Sequence, residues 1–240
     1  MKIRNMAFVL VAAGFVMAFS ACDEPRETRT ETRTIDAGGA TSAAVSVRMG
    51  AGELRLSGGA ASLMEAEFTT NVKHWIPETD YRVVGQRGEL KVRQGRGRNF
   101  FFGHRRNEWD IRLTETLPID LDVKLGAGES RLDLKGVDLA SLEVNMGVGE
   151  LNLDLSGPRT RDLEVRIHGG VGSARITLPR DVGVRVEVDG GIGSVSARGL
   201  VKEGHRYTNG AFGRTAEGRT AVAIRMEVDA GIGSIEIREE

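Results

Sequence analysis

The sequence is poor in cysteine, proline, aromatic residues and net charge. Its single cysteine, Cys22, excludes an internal disulfide and a cysteine-based zinc cluster. Only 5 of the 240 residues are proline whereas 32 are glycine, which argues against a disordered linker protein and indicates many tight turns between ordered segments. Aromatics at 5% leave an aliphatic core. A formal net charge of −1 provides no overall basic field, so we do not expect a nucleic-acid partner.

The first 21 residues have the pattern of an export signal. Lys2 and Arg4 precede an apolar stretch, Met6 to Phe19, that is too short to cross a hydrocarbon layer of about 30 Å as a helix. Small residues then lead directly into Cys22. The segment resembles a bacterial lipoprotein signal peptide, in which the cysteine is lipidated and becomes the mature N-terminus. The alternative is an ordinary secretory signal cleaved near Ala21, which would leave an exposed free thiol.

Residues 22–34 are expected to form an acylated cysteine and a polar tether. The stretch from Asp23 to Thr34 lacks large apolar side chains and is typical of a solvated, unstructured segment. Several acyl chains such as palmitate, at about 0.8 kcal/mol per buried CH₂, would anchor the chain stably to a membrane. We therefore expect a membrane-anchored lipoprotein of the cell envelope whose domain faces the periplasm or the exterior.

A Gly-x-Gly-[Glu/Ser] element recurs six times along the rest of the chain. The copies are Gly50–Glu53, Gly126–Glu129, Gly147–Glu150, Gly170–Ser173, Gly191–Ser194 and Gly231–Ser234. From the second copy to the fifth the spacing is about 21 residues, a period typical of solenoids. The last spacing is 40 residues, which we interpret as two periods of which one lacks its glycines.

Apolar and polar residues alternate on both sides of each glycine pair. The position three residues before the first glycine is always β-branched and apolar: Val47, Val123, Val144, Ile167, Val188 and Val228. Period-2 alternation predicts a strand, a sharp turn and a second strand in every copy. One copy cannot bury its own apolar face, so the copies must stack. The sequence therefore predicts an all-β fold, a stacked parallel β-solenoid. The alternative is an antiparallel meander with Gly-x-Gly hairpin loops.

Three segments carry a family resemblance: residues 43–58, residues 117–128 and the stretch Tyr207–Gly213 before the last copy. Together with the glycine turns they are similar to the bacterial toastrack family, over roughly residues 35–240. The resemblance implies a β-helix-like fold in the cell envelope, with related C-terminal domains in regulators of the response to cell-wall antibiotics and with adhesin-like members. The family has no established catalytic residues, so none is carried over.

The spacing of the repeats becomes regular after Leu117, which suggests a domain boundary near this residue. Residues 35–116 are predicted to form a less regular N-terminal toastrack β unit that caps one end of the stack. Its expected strands are Leu63–Thr69, Tyr81–Gly85, Glu89–Arg93 and Trp109–Glu115. Residues 117–240 are predicted to contain the β-solenoid repeats, interrupted by an inserted hairpin or loop at 202–220. The charged stretch Arg238–Glu240 would protect the other end from edge pairing.

The motifs point away from catalysis, cofactors and metals. The glycine elements lack the third glycine and the following helix of a dinucleotide site, and no Gly-Lys-[Ser/Thr] occurs. Calcium-binding β-roll repeats would need an Asp where Ala174 and Val195 stand. His74, His104, His168 and His205 lack metal-ligand spacing, and no nucleophile motif is present. We therefore predict a protein that is not an enzyme and holds no cofactor.

One segment between the repeats is distinctive because it combines arginine with consecutive phenylalanines. It comprises Arg96, Arg98, Phe100, Phe101, Phe102, Arg105 and Arg106. Three consecutive Phe cannot all point inward from a strand, so the loop is a candidate for contact with anionic lipid headgroups or a partner protein. The alternative is a loop whose aromatic side chains fold back to cap the core.

The combined prediction is a lipid-anchored, non-catalytic envelope protein that displays a β-solenoid for protein interaction or scaffolding, with envelope-stress sensing as its setting. The expected partners are the membrane, through the anchor, and an envelope protein that pairs with a solenoid flank or edge. A polysaccharide-binding or adhesin-like module is the alternative and would need an exposed aromatic row. A polysaccharide-active enzyme would need paired carboxylates in a groove.

Overall fold

The computed structural model describes residues 27–95, 105–212, 215–216, 219–220 and 222–240. Strands make up about 70% of the structure and helix 2%, the latter as one 3₁₀ turn at Lys73–Trp75. The strands are β1 (Arg29–Ile35), β2 (Ser42–Ser57), β3 (Met64–Thr70), β4 (Glu78–Val84), β5 (Arg87–Arg93), β6 (Asn107–Leu113), β7 (Ile119–Asp133), β8 (Leu139–Asp154), β9 (Leu163–Leu178), β10 (Gly183–Arg198), β11 (Val201–Glu203), β12 (Arg206–Thr208), β13 (Thr215–Ala216), β14 (Arg219–Thr220) and β15 (Ala223–Glu239).

Six long strands, here called rungs, form the stack in the order β2, β7, β8, β9, β15, β10. All neighbouring rungs are parallel, and the second glycine of each Gly-x-Gly lies opposite the second glycine of the next: Gly52, Gly128, Gly149, Gly172, Gly233 and Gly193. The predicted stacked parallel β architecture is confirmed, and the antiparallel meander is excluded for these rungs. The sheet does not close on itself.

Each rung bends at its glycines and so contributes two arms to one core. In β2, Val47 before the bend and Leu54 after it are both buried and belong to the same hydrophobic cluster. The apolar alternation of each arm therefore points its side chains toward the other arm, and stacked copies of Val, Leu and Ile fill the space between them. Rings are rare in this core, with Trp109 packed edge-on against Phe68 at 5.3 Å between centroids.

The bend requires glycine for two different reasons. In every rung except β10 the second glycine has a positive φ, for example 143° at Gly149, a region that side chains with a Cβ rarely adopt. A Cβ at this position would also overlap the carbonyl oxygen of Gly128 on the neighbouring rung. The first glycine has no positive φ, but a Cβ on Gly147 would overlap the carbonyl oxygen of Gly126. Backbone therefore stacks on backbone along both glycine columns.

Return segments connect the second arm of one rung to the first arm of the next. Arg159 is largely buried among them, and its guanidinium donates to the backbone oxygens of Val137 (2.9 Å) and Leu134 (3.1 Å). Burial lowers the pKa of Arg159 because desolvation penalises its charged form. The side chain ties successive return segments together by satisfying carbonyl groups that face the interior.

The order of the last two rungs corrects the interpretation of the 40-residue spacing. The C-terminal strand β15 lies between β9 and β10 and pairs with both, so the long spacing is a chain crossover and contains no hidden repeat. Asp162 fixes the start of the inserted strand: it accepts the Ala223 N–H (3.1 Å) and Arg225 Nη1 (2.9 Å). Because β15 is internal, Arg238–Glu240 does not end the stack, contrary to prediction.

The N-terminal strands cover the β2 end of the stack. β5 and then β4 lie beside the first arm of β2, and β6, β3 and β1 lie beside its second arm. The prediction of an unstructured tether up to residue 34 is wrong for residues 29–34, because β1 pairs with β3 along its whole length. The four strands predicted between residues 60 and 116 are confirmed as β3 to β6, with ends that differ by at most three residues. Since β2 is itself the first rung, the core continues across residue 117, and the proposed division there stays a prediction.

At the bend of β2, beside the N-terminal strands, two side chains make the hydrogen bonds that a neighbouring rung makes elsewhere. Gln94 Oε1 accepts the Gly50 N–H at 2.8 Å, and the buried Asn107 donates from Nδ2 to the Ala51 carbonyl at 2.6 Å. Asn107 in turn accepts Trp109 Nε1–H at 3.0 Å. The bend has a backbone geometry that no ordinary strand could match, so amide side chains satisfy its exposed backbone groups.

The β10 end is covered on its first arm by the hairpin of β11 and β12, which confirms an inserted hairpin within 202–220. Glu187 on β10 accepts hydrogen bonds from Arg185 and from Arg206 of β12. These bonds hold the pKa of Glu187 below its usual value. Among the described residues, no strand pairs with the outer side of the second arm of β10.

Substitutions of three nearby glycines in β9 test the two reasons why the bend requires glycine. We expect Gly172→Ala to lower the free energy of unfolding by about 2 kcal/mol or more, since it combines positive φ with overlap. In Gly170→Ala the new Cβ overlaps the neighbouring backbone but φ is not positive, so the free energy of unfolding should fall by less. Gly169→Ala, where a Cβ has nothing within 4 Å, should stay within about 0.5 kcal/mol of the parent chain. Urea denaturation gives the three values, and equal losses would refute the stacking account.

The carboxylate of Asp162 should contribute stability that depends on pH. Hydrogen bonds from Arg225 and from the Ala223 N–H lower the pKa of Asp162, so its contribution is present at neutral pH and is lost as acid protonates the folded-state group. We expect Asp162→Asn to lower the urea midpoint at pH 7 and the difference from the parent to disappear in acid. Asp181→Asn, at the exposed position before β10, is the matched control. A pH-independent difference would contradict this.

Candidate functional site

The outer side of the glycine bend carries a row of exposed apolar side chains. The middle residues of the six Gly-x-Gly elements stack in the order Ala51, Ala127, Val148, Val171, Ile232 and Ile192. We call this row the apex ridge. Its branched members are 48–76% exposed although they are aliphatic. Because a glycine lies on either side of each of them, the ridge stands above a surface of bare backbone.

A groove of about 1,200 Å³ runs beside the apex ridge, on the side of the first arms. Its polar wall is one column of side chains, two residues before the first glycine of each rung: Arg48, Lys124, Asn145, His168, Asp229 and Asp189. We call it the graded column because its charge changes along the stack from basic through neutral to acidic. The groove thus has a cationic end beside the N-terminal cap and an anionic end beside β10.

The ion pairs along the graded column leave most of its members accessible. His168 Nδ1 lies 2.9 Å from Asp229 Oδ2, a contact that pairs two neighbouring rungs. Arg48 and Lys124 both lie near Asp122, at 3.8 and 3.7 Å. Such long contacts between half-exposed groups contribute little to stability in water. The side chains therefore remain available for a partner at the bend.

A third column lies on the other side of the apex ridge, immediately after the second glycines. It contains Glu53, Glu129, Glu150, Ser173, Ser234 and Ser194 in stack order. We call it the Glu/Ser column. Three carboxylates occupy neighbouring rungs at one end, and three hydroxyls occupy the other. The apex ridge is therefore flanked on both sides by columns whose chemistry changes halfway along the stack.

The cationic end of the groove reaches part of the loop singled out in the sequence. Trp75 lines the groove there, and the guanidinium of Arg105 lies 5.6 Å from its ring centroid. Arg106 donates to Glu108 at 2.6 Å, which lowers the pKa of Glu108. Arg96, Arg98 and Phe100 to Phe102 lie outside the described residues, as does Cys22. The roles proposed for this loop and for Cys22 stay predictions.

The apex ridge was not predicted, because the middle residue of each Gly-x-Gly was interpreted as part of a turn. The signal was present in the series Ala, Ala, Val, Val, Ile, Ile, which turn geometry does not require. The order of charge in the graded column is the same in the sequence as in the stack, because β15 and β10 both carry Asp at this position. No group of three or more His, Cys, Asp or Glu side chains within the described ranges is positioned to hold a metal ion.

No helix within the described part of the chain is both long and apolar enough to span a bilayer. A comparison with functionally curated proteins gives no match. Two family models match the chain. The one described as "N-terminal domain of toast_rack, DUF2154" covers residues 24–177, and the one described as "Cell wall-active antibiotics response LiaF, C-terminal" covers residues 127–237.

Among solved structures, the chain is similar to a candidate cell adhesion protein from Clostridium sporogenes. The two share 32% identity and a TM-score of 0.81, over 89% of this chain and 100% of that one. A candidate adhesin from Bacteroides fragilis matches over 88% of this chain and 97% of that one, at 12% identity and a TM-score of 0.29, too low to bear on the fold.

These family relationships support a protein of the cell envelope, and toast-rack and adhesin-like families are not typically catalytic. The family model covers well over half of the chain, and the parallel glycine-bent rungs account for the resemblance seen in the sequence. The chain belongs to the toast_rack family.

Proposed function

We propose that this chain is a lipid-anchored envelope protein that binds a partner protein through the outer side of its glycine bend and carries out no reaction. The anchor is the acylated Cys22, and the tether is the polar segment between Cys22 and β1, which begins at Arg29. The binding surface comprises the apex ridge, the groove and the two flanking columns. Envelope-stress sensing is the setting that the match to a cell wall-active antibiotics response family supports.

The observation that carries the proposal is the apex ridge itself. Four branched aliphatic side chains from adjacent rungs lie in one continuous exposed row. Single exposed apolar residues are ordinary on protein surfaces, but a contiguous apolar strip with polar borders is typical of an interaction site. The fold does not require these side chains, because Ala51 and Ala127 occupy the same position in β2 and β7.

The groove is less suited to a sugar chain than to a polypeptide. Trp75 is the one aromatic side chain among the described residues that line it, so no row of rings is available to stack on sugars. The graded column instead presents separated positive and negative groups, which suit a partner with charges of both signs. An adhesin-like role is the second candidate, and the similarity to the candidate cell adhesion protein of C. sporogenes supports it.

The anchor can be tested separately from the binding surface. We expect Cys22→Ala to abolish labelling of the full chain by a clickable palmitate analogue, because acylation needs the thiol. Labelling of the parent chain, in the same membrane fraction, is the control. Persistence of the label in the variant, or its absence from the parent chain, would contradict the proposed anchor.

The binding surface can be tested by photo-crosslinking in intact cells that express the full chain. A photoreactive amino acid at position 171, on the apex ridge, should give covalent protein adducts. The same amino acid at position 84 is the matched control, because Val84 is similarly exposed (55%) but lies on β4, away from the bend. Equal adduct patterns at the two positions, or none at position 171, would refute the proposal.

A further inference from the structure

The three columns at the bend change their chemistry at the same point of the stack. The apex ridge runs from Ala through Val to Ile, the graded column from cationic to anionic, and the Glu/Ser column from carboxylate to hydroxyl. Each change is centred between β8 and β9, the third and fourth of the six rungs. A surface of this kind matches itself when one copy is reversed relative to the other.

We propose that a second copy of this chain docks on the apex ridge in the antiparallel direction, about a two-fold axis that passes between β8 and β9. The proposal rests on the proposed function, of which it names the partner. Symmetric dimers of this kind use the same surface on both copies, and the surface must be self-complementary. The three columns satisfy this requirement independently.

The apex ridge is complementary in size. An antiparallel copy places Ala51 opposite Ile192 of the second copy and Ala127 opposite its Ile232. Val148 then lies opposite Val171. Small residues face large ones and medium residues face each other, so the two ridges stay at a constant separation along about 24 Å, five steps of about 4.8 Å. A reversed pairing thus buries all four branched side chains in contact without a gap at either end.

The graded column is complementary in charge. In the same arrangement Arg48 lies opposite Asp189 of the second copy and Lys124 lies opposite its Asp229, while Asn145 meets His168. Since the two-fold axis lies in the interface and across the ridge, each flanking column faces its own counterpart. Two copies related in this way form four ion pairs, each between a basic and an acidic side chain. Charge complementarity of this kind selects both the partner and its orientation.

The Glu/Ser column follows the same rule and explains an otherwise unfavourable feature. Glu53, Glu129 and Glu150 lie on neighbouring rungs in register, and like charges opposite each other in a sheet are destabilising. The antiparallel copy places Ser194, Ser234 and Ser173 opposite them. No carboxylate of this column faces another across the interface, and each gains a hydroxyl donor.

Other occupants fit the surface less well. A parallel copy would place Ile opposite Ile at one end and Ala opposite Ala at the other, which leaves a wedge-shaped gap. A membrane of anionic lipid would be attracted by basic groups near the exposed apolar residues, but Asp189 and Asp229 flank Ile192 and Ile232. Anchoring also confines the copies to a surface, where a modest intrinsic affinity suffices for association.

Disulfide crosslinking of the full chain in cells tests the register directly. The double variant Ala127→Cys/Ile232→Cys should form a covalent dimer on mild oxidation, because position 127 faces position 232 of the second copy. Each single variant should remain monomeric, because identical positions would be about 14 Å apart, three rungs, beyond the reach of a disulfide. The parent chain, which retains Cys22, is the background control.

A charge exchange tests the polarity of the contact on the same chains. Arg48→Asp places two carboxylates opposite each other at both ends and should reduce the crosslinked fraction of the double cysteine variant about tenfold. Adding Asp189→Arg should restore it. Both sites are exposed, so the urea midpoint of the dilute monomer should be unchanged, and a loss of crosslinking that is not restored would overturn the proposal.

The outcomes separate this inference from the proposed function. Absence of a dimer in the double cysteine variant, or dimers of the single variants alone, overturns the antiparallel contact. If the photo-crosslinker at position 171 then captures only other proteins, the binding surface stands without self-association. Capture of lipid alone at position 171 overturns both.

Discussion

The stacking of glycine on glycine at the bend is the constraint on which the rest of the structure depends. Adjacent rungs approach so closely there that a Cβ at Gly149 would overlap the backbone of Gly128. The glycine columns fix the register of the two arms together, because slipping either arm by one residue would separate the paired glycines and turn the apolar side chains outward. One local steric requirement thus sets the core, the direction of the strands and the surface outside the bend.

The two ends of the stack show how irregular parts adapt to this requirement. At the β2 end, Gln94 and Asn107 supply hydrogen bonds that a further bent rung would have supplied. At the β10 end, a hairpin covers the first arm and is held by Glu187 and Arg206. At the bends of the interior rungs the neighbouring rungs pair with each other in register, glycine beside glycine.

The parallel stacking of the rungs could be predicted from the sequence, because equivalent residues of successive repeats lie on top of one another. The spatial order of the last two rungs did not follow. Since every rung has the same shape, spacing alone cannot tell whether β15 stacks on β10 or enters before it, and the deciding contact, Asp162 with Arg225, joins distant residues. The columns of the site can be aligned from the repeats whichever of the two rungs comes first, but the groove beside them depends on the bend and on contacts with Trp75 and Gln94, which the repeats do not indicate.

The position of β15 has a consequence for how the chain is made. The 17 residues of this strand are synthesised after β9 and β10, yet they lie between these two strands. Until they emerge, β9 exposes an edge whose glycines match those of β10 equally well. The nascent chain can therefore close into a shorter stack, and completing the native one requires β15 to separate that pair or to arrive before it forms.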